Sequence, residues 1–108
     1  MTPLAEQWDA IVAAQPPDWS TLHFGLRLRD PYQSEEAALV LAPLNPWHEE
    51  NWRSGAFHLR AARVQGYGTS PQLCRKRLST LDQVGIAGTL RFERRLSDVR
   101  PVATQGTL

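Results

Sequence analysis

A two-layer α+β sandwich, with helices packed on one face of a small sheet of three or four strands, is the fold class this sequence predicts. Two patterns carry that expectation. Apolar and polar residues alternate in three runs, 19–29, 56–62 and 89–96, whereas apolar residues recur at helical spacing over 3–14 and 70–84. The runs interleave as helix, strand, short helix, strand, helix, strand, an order compatible with ferredoxin-like character. Each alternating run has one apolar face, so the helices cover one side of the sheet and leave the other open.

Thr2 is placed to cap a helix starting at Pro3, where a missing N–H does no harm. Leu4, Trp8, Ile11 and Val12 form its apolar stripe, and Pro16-Pro17 prevents its continuation. In the first strand Leu22, Phe24, Leu26 and Leu28 face one way and Thr21, His23, Gly25, Arg27 and Arg29 the other, until Asp30-Pro31 turns the chain. Ser34 as a cap, followed by Glu35 and Glu36, favours a short helix up to Ala42, although Ala-Leu-Val-Leu would also suit a buried strand. Residues 43–55 hold two prolines and two tryptophans without a period, which predicts a long loop that is either functional or pinned by Trp47 and Trp52.

Alternation resumes with Phe57, Leu59 and Ala61 against His58, Arg60 and Ala62, and Gly66-Tyr67-Gly68 ends it. Ser70 then opens a helix with Leu73, Cys74, Leu78, Leu81 and Val84 inward, Arg75, Lys76 and Asp82 toward solvent, and Gly85 as a left-handed stop. The last strand sets Leu90, Phe92 and Leu96 against Arg91, Glu93 and Arg95. Arg94 breaks this parity, which predicts a bulge, an exit from the core or the strand's end near residue 93. One domain over 1–97 and an extended tail over 98–108 follow. Its core layer is expected to be Leu22, Phe24, Leu26, Phe57, Leu59, Leu90 and Phe92 against Trp8, Ile11, Leu78 and Leu81.

With 108 residues and 42% apolar content, the chain can build one core but not two. Lys and Arg number 12 against 11 Asp and Glu, a net charge of +1, so no global field steers the molecule to nucleic acid or an anionic membrane. Cys74 is the only cysteine, which excludes an internal disulfide and a cysteine-based zinc site and points to a reducing, cytoplasmic setting. The first 14 residues carry Glu6 and Asp9 and no basic side chain, unlike a secretory signal, and no run is long enough to span a membrane.

The open face is the informative surface, because it gathers His23, Arg27, Arg29, His58, Arg60, Arg91 and Arg95 around one acid, Glu93. The leading expectation is a non-enzymatic binding or assembly domain that meets an anionic ligand, a protein partner or a second copy of itself as a dimer. Arg27, Arg60, Arg91 and Arg95, with Trp47 and Trp52, are its candidate binding residues, and neither a cofactor nor a metal is expected. The alternative is a small enzyme in which His23, His58 and Glu93 exchange protons in a pocket completed by dimerisation or by the 43–55 loop. Nucleic-acid binding is disfavoured, since Phe24, Phe57 and Phe92 all have inward parity and leave no stacking platform. His48-Glu49-Glu50 lacks a second histidine at helical spacing, and Gly66 to Pro71 lacks the Walker lysine and reads as a capped turn. Cys74 reads as a core residue.

Overall fold

The computed structural model describes residues 2–47 and 52–95. Three helices, α1 (Leu4–Ala13), α2 (Ser34–Leu41) and α3 (Pro71–Gln83), pack against an antiparallel sheet of β1 (Thr21–Leu28), β2 (Ala56–Ala62) and β3 (Gly88–Arg95). The strand order is β2-β1-β3, with the longest alternating run of the sequence in the centre. The fold is the expected α+β sandwich, with three strands, all paired antiparallel. The expected tail, the His48-Glu49-Glu50 cluster and the side chains of Trp52 and Leu96 lie outside the described residues. No helix among the described residues is long and apolar enough to cross a membrane.

The core lies between sheet and helices. Leu22, Phe24, Phe57, Leu78, Leu81 and Cys74 are fully buried, and Trp8 packs its ring 4.8 Å from that of Phe24. The expected core set is present, with Ile11 and Phe92 only partly buried at its margin. Burial pushes the Cys74 thiol up to about 12, so it stays protonated and inert among apolar neighbours. The ambiguous segment after Asp30 is helical. Pro31–Gln33 form a 3-10 turn capped by the Asp30 side chain, and α2 continues from it. Ser34 therefore sits inside the helix, its hydroxyl donating to the Pro31 carbonyl, and Gln33 rather than Ser34 occupies the cap position.

Two further expectations change for one reason. Thr2 does not cap α1, and Asp82 does not point idly to solvent: its Oδ1 and Oδ2 accept the Leu4 and Ala5 amides at 2.7 and 3.0 Å. A carboxylate from the end of α3 thus caps the start of α1 where unpaired donors and the helix dipole both favour negative charge. Arg75 of α3 clasps Asp9 of α1 with two bonds of 2.8 and 2.9 Å, and this holds the Asp9 carboxyl below its usual range. α3 ends as expected on Gly85 at φ 81°, with Ile86 N–H bonded to the Leu81 carbonyl and Gly85 N–H to that of Asp82. This is the Schellman pattern, with Leu81 and Ile86 buried beside it, whereas Val84, one residue earlier, is half exposed.

Both sheet edges are covered in part. On β2, Trp47 exchanges two backbone bonds with His58, and Thr69 bonds the backbone of Arg60 and Ala62. On β3, the Gln7 side chain of α1 accepts from Leu90 N–H at 2.8 Å and donates to the Gly88 carbonyl at 3.0 Å.

Candidate functional site

The strand register lays the open face out in rows. Arg60, His23 and Arg94 stand side by side across β2, β1 and β3. The next row is His58, Gly25 and Arg91, and the third is Ala56, Arg27 and Thr89. Neighbouring strands are about 4.8 Å apart and successive rows about 6.7 Å apart, so the outer members of a row have Cα atoms roughly 10 Å from each other. At the far end, the open-face positions Thr21 and Ala62 are buried, with the Gly68 backbone folded against Ala62. The groove therefore begins at the His23 row.

A β-bulge between the first two rows decides the chemistry. The pairing of β1 with β3 shifts between His23 and Phe24, so Glu93 and Arg94 both reach the open side and Arg95 falls opposite Leu22. Arg94, not Arg95, accordingly joins the open face, because one inserted residue reverses the parity of everything after it. The break at Arg94 was the sequence signal. It marked an irregularity near residue 93, of which a bulge was one of three forms, without saying that the next arginine would change sides.

Glu93 uses its position to cross the sheet. Its carboxylate oxygens lie 3.1 and 3.2 Å from His58 Nδ1, two strands away, and pass over Gly25. A Cβ on Gly25 would stand 3.6 Å from the Glu93 carboxylate, an ordinary contact distance, which places the carboxylate directly over this residue. Since an ionised carboxylate only accepts, His58 carries its proton on Nδ1 toward Glu93, which leaves Nε2 as the free ring position. Trp47 sets its ring edge-on to His58 with centroids 5.6 Å apart. The indole itself is 60% exposed, so the loop is pinned by the backbone bridge and by buried Leu44 rather than by a buried Trp47.

The His58–Glu93 pair divides the groove into two cavities. One, of about 290 Å³, is lined by Arg27, Arg91, Thr89, Ala56 and the Glu93–His58 pair over Gly25. The other, of about 340 Å³, is lined by His23, Asn45, Trp47, His58, Leu59, Arg60 and Arg94. Asn45 was not foreseen from sequence. It stands at φ 50°, the one non-glycine with positive φ among the described residues, and asparagine's tolerance of that conformation was the available signal. His23 is held below its ordinary pKa by burial first and then by repulsion from Arg94 and Arg60, with Glu93 opposing. It is therefore neutral at pH 7, with one ring nitrogen to donate and one to accept.

Of the candidate residues, Arg27, Arg60, Arg91 and Trp47 line the groove, His58 and Glu93 touch, and His23 lies one row away from that pair. Arg95 lies on the opposite parity. Among the described residues no group of three or more His, Cys, Asp or Glu side chains is arranged to hold a metal. Arrangements of this kind can bind an anion through arginine, or move a proton through a histidine oriented by a carboxylate. No protein-family model, no curated protein and no solved structure matches the chain.

Proposed function

We propose that this chain is a non-enzymatic binding domain whose open sheet face takes an anionic ligand. The observation that supports it is the charge imbalance of the groove. Arg27, Arg60, Arg91 and Arg94 line it, and the only carboxylate in the lining among the described residues, Glu93, is engaged by His58. Arginines gathered on a surface with one occupied acid raise the local concentration of anions and offer them paired donors. The double change Arg60→Glu with Arg91→Glu tests the reading. Wild-type protein should bind members of a phosphate- and carboxylate-bearing panel, more weakly as salt rises, because exposed charges are screened over about 8 Å at 0.15 M. The doubly reversed protein should keep its circular dichroism and lose that binding; an unchanged binding profile would reject the proposal.

A second copy is the other partner such a face can take. Two copies meeting squarely would set arginine against arginine, so a dimer would be offset or would enclose anions. Light scattering of the same two proteins, with and without phosphate, distinguishes these arrangements. The buried, single cysteine supports a reducing, cytoplasmic setting.

The contact between His58 and Glu93 favours a second reading, a small enzyme with His58 Nε2 as the proton acceptor. It predicts that His58→Gln abolishes turnover of some screened substrate with the fold intact. Anion binding that survives His58→Gln, without turnover of any substrate by wild type, would leave the binding reading alone.

A further inference from the structure

We infer that the larger cavity is a phosphomonoester site, in which Arg60 and Arg94 grip the phosphate from opposite sides over His23 while a flat ring of the same ligand lies on the exposed indole of Trp47. This rests on the anion-binding reading of the face and assigns it a place and a ligand class.

Three features separate this cavity from its neighbour. Among the described residues its lining holds two guanidinium groups and no carboxylate, whereas the adjoining cavity includes Glu93. The bulge is what makes it so, since one inserted residue sends Glu93 toward His58 and brings Arg94 level with His23. Bulges commonly re-aim a side chain beside a functional site. The backbone of Trp47, finally, is held by two bonds to His58, and its exposed indole stands edge-on to the His58 ring.

The geometry favours phosphate over carboxylate. A carboxylate presents two oxygens in one plane and is satisfied by one arginine fork. Here two arginines stand on strands on either side of β1, with Asn45 and a neutral His23 also in the lining, a set of donors on several sides that suits a tetrahedral group with three terminal oxygens. His23 contributes without adding a third charge to repel the arginines, since burial and those arginines keep it neutral. A volume of about 340 Å³ lies at the small end of ligand pockets, which fits a mononucleotide-sized molecule and not a polymer. Stacking of a planar ring on an indole is tolerant of ring identity, because every base has a π-face.

Calorimetric titration with adenosine 5′-monophosphate, ribose 5-phosphate and inorganic phosphate tests the assignment. The nucleotide should bind tightest and quench indole emission. Arg60→Gln and Arg94→Gln should each weaken all three by about tenfold or more, the scale of a lost charge-assisted contact, while Arg27→Gln weakens them by less. Trp47→Ala should remove the advantage of the nucleotide over ribose 5-phosphate and leave inorganic phosphate binding in place. If Arg27→Gln and Arg91→Gln prove the damaging changes, the site is the other cavity, and the inference fails while the anion-binding reading stands. If Trp47→Ala leaves the nucleotide's advantage intact, the ring is held elsewhere and the ligand assignment fails. If none of the three probes binds wild type while a carboxylate does, the phosphomonoester assignment alone fails; if no anion of any kind binds, the broader reading falls with it.

Discussion

His23 couples its charge state to the stability of the whole chain. Its pKa in the folded protein lies below its unfolded value, because burial and two arginines disfavour the imidazolium. The unfolded chain therefore binds more protons in the window between the two values, and stability rises with pH there. The full contribution is present above about 6.5, the ordinary histidine value, and is lost as pH falls through that value toward the folded one. Urea denaturation of wild type and His23→Gln between pH 7.5 and 5 should show the wild-type midpoint falling more steeply, and parallel curves would mean that His23 is not held neutral. A bound anion should act in the opposite direction, raising the His23 pKa by partly cancelling the arginines. The candidate residues on this row were visible in the sequence as an alternating set, but the burial that sets their protonation belongs to the assembled sheet.

Elements were readable where their signals are local. The parity of β1, the Ser70 cap and the Gly85 stop of α3 each depend on residues within a few positions, and each is present in the fold. Caps supplied from afar are different. The carboxylate that opens α1 comes from residue 82, so nothing near Thr2 or Pro3 announces it. Asp82→Ala should consequently destabilise the start of α1 and its tie to α3, by about 1–3 kcal/mol for the lost cap and its charge-assisted bonds. Equilibrium unfolding measures this, and Asp82→Asn, which keeps one acceptor oxygen, should recover part of the loss. A cost below about 0.5 kcal/mol, within the range of an ordinary surface change, would show that water replaces the carboxylate freely. The bulge in β3 lies between these cases. An irregularity at its position was legible from Arg94, but neither that it is a bulge nor its effect on Arg95 was, because parity after an insertion depends on how the partner strand continues the pairing.

At the scale of the molecule, the open face followed from three strands with one apolar side each, and it is there in the structure. Which parts of that face form a groove was not legible. The walls come from Trp47 and Asn45, whose aperiodic segment gave no indication that its backbone would join β2. The other edge of the sheet is finished by a single side chain: Gln7 presents one acceptor and one donor to β3, at the spacing at which another backbone would offer its own. An amide side chain of this kind imitates one peptide unit of a missing strand and then stops, so it satisfies the edge without offering a new one. The consequence concerns chains in a crowd. At Gly88 and Leu90 the edge is already occupied from within, so an incoming strand would have to displace Gln7 before it could pair there. Gln7→Ala should expose Leu90 N–H and the Gly88 carbonyl, accelerate exchange of the Leu90 amide, and raise light scattering with concentration and time. Unchanged exchange at Leu90 would mean that solvent already competes for that bond, and that protection against growth resides in the arginines farther along β3.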